Sequence, residues 1–227
     1  MQVDVRYRPA YALAMVTLDE KESIQVESGA MVGMSPDLEL KTEATGGFFK
    51  SLSRSVFGGE SFFLNTYTAK QAGDSVALAP PLPGDISVIE MTGETLLVQS
   101  GSYLGSSQGI TVDTKWSGAK TFFSSEGLIL LRIHGHGTLI VSSYGAIHPI
   151  TLEAGQSYVV DTGHLVTFRE EMNFKVKKVA GWKSTLFSGE GLVAELTGPG
   201  EMTIQSRSQD SFLSWLIPQL PQQSSSS

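Results

Sequence analysis

Cysteine is absent from the 227 residues of this chain, and its absence excludes disulfide bonds, thiol catalysis and zinc sites that use cysteine. Basic residues are also few. Lysine and arginine number 16 against 23 aspartates and glutamates, which gives a net charge of −7. A general nucleic-acid binder needs a basic surface for the phosphates, so we expect no nucleic-acid partner. No apolar run reaches the roughly 18 residues that cross a bilayer.

The N-terminal residues predict no targeting segment. Met1–Val16 has no basic region ahead of an apolar stretch, as a secretory signal would have, and Asp4 disfavours a transit peptide. Because the chain also lacks cysteine, the predicted location is the cytoplasm. Residues 222–227 are two glutamines and four serines, and we expect them to form a disordered tail.

Glycine, by contrast, is frequent, with 24 residues, and a glycine motif recurs three times. Each copy has a small polar turn, a short run of β-forming residues, then Val-x-Ser/Thr-Gly and a residue pair that ends in Leu or Val. The copies are Leu18–Val32, Met91–Leu104 and Leu152–Val166, with Val26, Val98 and Val160 in register. Internal repetition of this kind predicts a core assembled from similar supersecondary units.

Strand patterns dominate the chain between these copies. Ser23–Glu27 alternates, with Ile24 and Val26 on one face. Gly127–Ile133 is apolar enough for a strand that is buried on both faces. Asn173–Val179 alternates apolar residues with lysines, which predicts a half-exposed strand. Turn residues separate such runs, and this pattern is typical of all-β proteins.

We therefore predict an all-β fold of three repeated sandwich-like units, at about residues 1–80, 81–148 and 149–210. Isolated units of about 65 residues are marginally stable, so they should share a core. The expected result is a single compact domain over residues 1–221.

Two segments break the β pattern because their apolar residues have helical spacing. Gly46–Gly59 predicts one or two helical turns on a loop bounded by glycines. The second segment predicts a short helix at about residues 210–220, which Asp210 could cap and Pro218 would end. The apolar residues of the two segments are Phe48, Phe49, Leu52, Val56, Phe57, Phe212, Trp215, Leu216 and Ile217.

These apolar residues are the candidate contacts with other molecules. For the segment Phe48–Phe57, the favoured interpretation is that its apolar residues pack against another subunit. A second interpretation is that they cover the core of their own chain. A third is peripheral contact with a membrane interface, but two or three aromatic side chains without a lipid anchor give only marginal affinity.

His134 and His136 are candidate metal ligands, because alternate residues of a strand point to one face. The metal-binding pattern of cupins would add a glutamate a few residues later, whereas Thr138 follows here and the next acid is Glu153. In register with the third repeat, the histidines align with Gly198–Gly200, which predicts a turn. A surface turn is therefore the preferred interpretation.

Glu60, Glu126 and Glu190 recur at the same place in the three copies of a second element, which begins with phenylalanine. Three equivalent carboxylates could form a ligand site around a pseudo-threefold axis. The preferred alternative is that each accepts hydrogen bonds from the backbone N–H groups of its own turn.

The segments Gly46–Ala69, Phe187–Ser208 and Ser211–Pro221 together resemble the family named for altered inheritance of mitochondria (group 24). Gly59–Thr68 is the most specific piece, and the resemblance runs from about Val3 to Leu220. It implies a fold like that of the tryptophan RNA-binding attenuation protein, with its short double-stranded β-helix unit tripled in one chain. It also implies a homotrimer, whose ring would hold nine units. Fungal relatives are linked to organisation of the mitochondrial inner membrane.

The sequence favours a non-enzymatic, homo-oligomeric scaffold or interaction protein, with no cofactor, no catalytic residues and a possible further protein partner. The alternative is a cupin-like protein that binds a small ligand or metal through the histidines or repeated glutamates. A weaker third hypothesis is RNA binding through the lysines at Lys175–Lys178. The attenuation protein binds RNA with a belt of lysines, and no such belt recurs in the three units here.

Overall fold

The computed structural model describes residues 1–44, 63–113, 128–178 and 192–221. Within these residues the chain is mostly β-strand, and the prediction of an all-β fold is confirmed. The strands follow one another in three strand groups, which we number in chain order.

Strand group 1 ends before Pro80, strand group 2 ends at Ser142, and strand group 3 ends at Gln205. Group 1 contains β1 Gln2–Arg6, β2 Leu13–Leu18, β3 Ser23–Glu27, β4 Met31–Met34, β5 Glu39–Ala44, β6 Phe63–Thr68 and β7 Asp74–Leu78. Group 2 contains β8 Ile86–Gln99, β9 Tyr103–Ser107, β10 Ile110–Asp113 and β11 Leu130–Ser142. Group 3 contains β12 Ile147–Leu152, β13 Ser157–Asp161, β14 Leu165–Arg169, β15 Asn173–Lys178, β16 Leu192–Thr197 and β17 Gly200–Gln205.

All strand pairs among the described residues are antiparallel, and the same order of pairing occurs in each group. In group 1, β2 pairs with β7, β3 with β6, β5 with β6 and β4 with β7. In group 3, β12 pairs with β17, β13 with β16, β15 with β16 and β14 with β17. In group 2 the long strands β8 and β11 pair along their length, and β10 and β9 pair with the two halves of β11. The three groups therefore share one order of strand pairing, whereas the internal sequence repeat stays a prediction.

Alternation of side chains puts the apolar residues of these strands inside. In β2, for example, Ala14, Val16 and Leu18 are buried and the residues between them face outward. The three apolar clusters also cross from group to group. Leu104 of group 2 lies in the cluster that contains Ile24 of group 1. Leu97 of group 2 lies in the cluster of group 3, so neighbouring groups share core residues.

The helical part of the described chain is short. Besides 3-10 turns at Ser100–Ser102, Thr162–His164 and Ile217–Gln219, it has one α-helix, α1, at Gln209–Leu216. The predicted short helix near residues 210–220 is present, but the prediction that Asp210 caps it is wrong. The Oγ atom of Ser208 accepts a hydrogen bond from the N–H of Ser211, so Ser208 is the N-cap.

The predicted surface turn at His134–His136 is also wrong, because both histidines lie in the middle of β11. Gly135 has a φ of +127°, which only glycine adopts easily, and β8 carries an extra residue opposite this point. The strand therefore continues through a bulge. In group 3 the corresponding position is the turn between β16 and β17, where Pro199 has no N–H for a ladder hydrogen bond.

Candidate functional site

Neighbouring strand groups are joined by pairs of strands that have the same register at both junctions. At the first junction, β3 pairs with β9 and Val26 lies opposite Gly105. At the second, β8 pairs with β14 and Val98 lies opposite Thr167. Val26 and Val98 align in the sequence motif, and Gly105 and Thr167 hold corresponding positions in β9 and β14. The two junctions therefore pair corresponding residues.

A third junction of this kind is absent from the described residues. The strand of group 3 that corresponds to β3 and β8 is β13, and its one strand partner there is β16. The strand of group 1 that corresponds to β9 and β14 is β4, and its one strand partner there is β7. One edge of β13 and one edge of β4 are therefore open. Open edges present unpaired backbone N–H and C=O groups, which are templates for pairing with another chain.

The open edge of β13 carries exposed apolar side chains at positions that are buried in β8, at the second junction. Val159 is 52% exposed, whereas Leu97, at the corresponding position of β8, is buried. Tyr158 is likewise exposed, whereas its counterpart Leu96 is buried. Exposed apolar residues that cluster on a strand edge are typical of an interaction surface.

The open edge of β4 shows the same contrast. A bulge leaves Val32 between Met31, which lies opposite Leu78, and Gly33, which lies opposite Ala77. Val32 is 62% exposed, and Met31 and Met34 are exposed beside it. Bulges at the same place in β9 and β14 leave Leu104 and Val166 in this position, and both of those side chains are fully buried.

Ion pairs also connect neighbouring strand groups. The Arg132 guanidinium donates two hydrogen bonds to Glu170 across the second junction, at 2.6 and 3.0 Å, and this contact raises the pKa of Arg132. Arg8 donates two to Asp85, at 2.7 and 2.9 Å, and ties the loop before β2 to the start of β8. Both pairs are bidentate, a geometry that adds orientation as well as energy.

The C-terminal helix offers a second exposed apolar surface. Phe212 and Leu216 are half-buried, and the Phe212 ring stands edge-on to Tyr144 with centroids 6.1 Å apart. Trp215 is 63% exposed, and Ile217 is exposed too. Of the predicted contact residues here, Phe212 and Leu216 therefore face the chain's own body and Trp215 and Ile217 face outward.

The other predicted site residues do not form a site in the described chain. His134 lies opposite Thr95 and His136 opposite Thr92. No group of three metal-ligating side chains occurs within residues 1–44, 63–113, 128–178 and 192–221. Glu60, Glu126 and Glu190, as well as Phe48, Phe49, Leu52, Val56 and Phe57, lie outside the described residues.

A cavity of about 480 Å³ lies beside the turns that follow β3, β8 and β13. Several of its polar groups bond within the fold. Ser143 Oγ donates to the carbonyl of Gly145 at 2.6 Å, and Thr162 Oγ1 donates to that of Leu192 at 3.2 Å. The Gln205 amide accepts from the N–H of Tyr144 and donates to the carbonyl of Gly163. These groups hold the turns in place and are not free for a ligand.

The edge residues Val32, Tyr158 and Val159 are not among the residues that the sequence singles out. The motif alignment holds a signal for them, because Val32 aligns with Leu104 and Val166, and Val159 aligns with Leu97. Their exposure cannot be found in this way, since it depends on which strand lies beside them.

Every helix in the described parts of the chain is too short or too polar to pass through a bilayer.

Comparisons with known proteins agree with one another. An uncharacterized protein of Streptococcus pyogenes serotype M6 is 29% identical over 220 residues, which cover 93% of this chain and 88% of the relative. A crystal structure of a Streptococcus pyogenes protein superposes with a TM-score of 0.78 at 26% identity, over 96% of this chain and 99% of that one. The model of the mitochondrial biogenesis AIM24 family matches residues 3–207. This chain is therefore a member of the mitochondrial biogenesis AIM24 family.

Proposed function

We propose that this protein is a non-enzymatic scaffold that assembles with copies of itself, β13 of one copy pairing with β4 of the next. The observation that carries the proposal is the contrast between the two closed junctions and the pair of open edges. The edges are complementary, since β13 and β4 correspond to the two strands that pair at each closed junction. A second copy supplies the strand that each edge lacks.

The register of the proposed contact follows from that of the closed junctions. Transferred to β13 and β4, it places Val160 opposite the partner's Gly33 and Val159 opposite the partner's Met34. In this register the Val32 side chain enters the core of the partner, as the Leu104 side chain enters the core of group 1. Burial of such side chains contributes roughly 1.5–3 kcal/mol each.

Head-to-tail contacts of this kind close into a ring or extend into a filament, because the two surfaces differ. The proposed assembly is the closed homotrimer, with nine strand groups in one ring. Ring closure removes both open edges and with them the hazard of uncontrolled strand pairing. No observation favours the cupin-like alternative, since His134 and His136 lie among threonines of β8 and β10.

The absence of cysteine makes a direct test available. Two variants, Val159→Cys and Met34→Cys, are purified separately and then mixed under mild oxidation. Directly opposed residues of antiparallel strands have Cα atoms about 4.5–5.5 Å apart, within the range that a disulfide bridges. We expect a disulfide-linked dimer in the mixture and none from either variant alone, because the contact joins two different surfaces. Lys175→Cys, on the exposed face of β15, replaces Val159→Cys in the control mixture.

Light scattering on the unmodified chain gives the number of copies. We expect a mass of three times the 24.4 kDa of the chain. A monomer at micromolar concentration, together with no disulfide in the mixture, would refute the proposal. A disulfide formed by Val159→Cys alone would point to a symmetric contact of β13 with itself and would also refute it.

A further inference from the structure

A cleft of about 320 Å³ lies between α1 and the segment that joins groups 2 and 3. Aromatic rings form much of its wall: Tyr144, Phe212 and Trp215, with ring centroids of 6.1 Å from Phe212 to each of the other two. His164 and Arg207 add polar groups to the wall. Aromatic rings attract another ring at centroid distances of about 4.5–7 Å, so an aromatic side chain suits this cleft.

The exposed aromatic residues of the N-terminal loop are the complementary feature. This loop lies between β1 and β2, and it carries Tyr7 and Tyr11. Tyr11 is 74% exposed, the largest exposed fraction of any large hydrophobic side chain in the described residues. Neither tyrosine lines the cleft of its own chain. An exposed tyrosine has an apolar ring that can pack and a polar hydroxyl that can form a hydrogen bond, and tyrosine is therefore enriched at protein interfaces.

Backbone hydrogen bonds indicate where the N-terminal loop of a next copy arrives. The residue just before β2 bonds to the segment just before β8, and the residue just before β8 bonds to the segment just before β12. The N–H of Ala12 donates to the carbonyl of Gly84, and that of Asp85 donates to the carbonyl of Gly145, both at 3.0 Å. In group 3 the corresponding N–H is that of Ala146, and it donates to Ser206 Oγ at 2.9 Å, so Ser206 Oγ occupies the place of the carbonyl acceptor.

A next copy that pairs with β13 in the same register therefore brings the segment before its β2 to Ser206. Ser206 and Arg207 line the cleft, and Tyr11 directly precedes Ala12, whose N–H makes the bond to the following group. The loop and the cleft thus meet at the same end of the proposed contact.

We infer that the cleft beside α1 receives the Tyr11 side chain of the next copy, with its ring packed against those of Phe212 and Trp215. The inference rests on the proposed self-assembly and adds a second contact to it, outside the strand pair. It also gives the C-terminal helix a role. The helix follows residues 3–207, the part of the chain that the family model matches, and supplies the outer wall of the cleft.

A double-mutant cycle between Tyr11→Ala and Trp215→Ala tests the contact. The quantity measured is the chain concentration at which half of the protein is assembled, by light scattering. Both residues are exposed, so the variants should fold, and circular dichroism checks this. We expect each single change to raise that concentration about tenfold or more, as for aromatic residues at the centre of an interface. The double variant should behave like either single variant, because both changes remove one contact.

Tyr7→Ala is the matched control, since Tyr7 is an exposed tyrosine of the same loop. If Tyr11→Ala changes assembly no more than Tyr7→Ala, or if the effects of Tyr11→Ala and Trp215→Ala multiply, the inference is wrong. The disulfide between Val159→Cys and Met34→Cys separates this failure from failure of the proposed function. A disulfide that forms while Tyr11→Ala is neutral leaves the strand pairing intact, whereas a monomer without the disulfide overturns both.

Discussion

Val32 and Leu104 hold the same bulge position in β4 and β9, yet Val32 is 62% exposed whereas Leu104 is fully buried. Leu104 is buried because group 1 lies beside β9, and the side chain enters the cluster that contains Ile24 and Val26. In the described residues β7 is the one strand paired with β4, so no neighbouring group covers Val32. The same local geometry is thus part of the core at one site and part of the surface at the other.

This difference predicts opposite effects of substitution at the two residues. We expect Leu104→Ala to destabilise the chain by about 2–5 kcal/mol, because it leaves a cavity in a shared core. Val32→Asp should leave the chain folded but reduce its mass in solution to that of a monomer, because the charge would be buried in the contact. Urea denaturation and light scattering measure the two effects. A Val32→Asp variant of unchanged mass would argue against β4 as a contact.

The hydroxyl of Tyr103 is predicted to stabilise the first junction. It lies 2.8 Å from Ser106 Oγ and donates to the carbonyl of Gln25, across the junction in β3, at 3.4 Å; the side chains of Tyr103 and Ser106 are fully buried. Burial raises the pKa of Tyr103, so the hydroxyl stays protonated well into the alkaline range. Tyr103→Phe should lower the free energy of unfolding by about 1–3 kcal/mol, because it leaves Ser106 without this partner. Tyr7→Phe, at an exposed tyrosine, should have almost no effect. Urea midpoints of the two variants and the wild type test this, and equal midpoints would contradict it.

Glu94 is predicted to make the fold sensitive to acid. Its carboxylate accepts hydrogen bonds from the N–H and the hydroxyl of Thr92, at 2.8 and 2.9 Å. The backbone N–H groups of Glu94 and Thr92 lower the pKa of Glu94 below 4.5, against the opposing effect of burial. The folded pKa is lower than the unfolded one. The stabilisation is therefore complete above about pH 4.5 and is lost as the pH falls through the folded value.

Glu94→Gln should reduce the loss of stability at acidic pH. Between about pH 6 and pH 3, wild type should lose up to about 1 kcal/mol more stability than the variant. Urea unfolding at several pH values measures the difference. Glu153→Gln removes one exposed carboxylate and is the control for charge. Parallel curves for wild type and Glu94→Gln would show that the carboxylate has no such role.

Ser208 is predicted to hold α1 in place. Its Oγ caps the helix at the N–H of Ser211, and its carbonyl accepts from the N–H of Phe212 at 3.1 Å. Ser208→Ala should cost roughly 1 kcal/mol of helix stability. Hydrogen exchange of the α1 amides should accelerate, whereas the amides of β11 should not change. Ser214→Ala, on the exposed side of the helix, should not accelerate exchange, because alanine favours the helix more than serine does. Equal acceleration in both variants would contradict a specific role of the cap.

Local sequence patterns predict the strands well where one face is buried. Ile24 and Val26 were expected on one face of a strand, and both are fully buried in β3. The alternation in β15 also predicts its exposed Lys175 and Lys177. Such predictions succeed because the alternation of side chains is a property of the strand itself.

The same patterns fail where the outcome depends on a neighbouring strand. His134–His136 is a strand because Gly135 adopts a positive φ and β8 supplies an extra residue, and neither fact lies in the histidine segment alone. Asp210 is a good capping residue by type, yet Ser208 caps the helix because the chain leaves β17 and its following turn at that point. Helix bounds predicted from sequence commonly differ by such small shifts.

The sequence by itself determined that this chain is all-β, that its strands have one buried face, and that a Val-x-Ser/Thr-Gly motif recurs at fixed places. Only the tertiary structure decided which strand edges are paired and which are open. The physical reason is that backbone hydrogen bonds between strands join residues far apart in the chain and do not depend on side-chain identity. Val26, Val98 and Val160 therefore occupy equivalent motif positions, and only their neighbours in space distinguish the closed junctions from the open edge of β13.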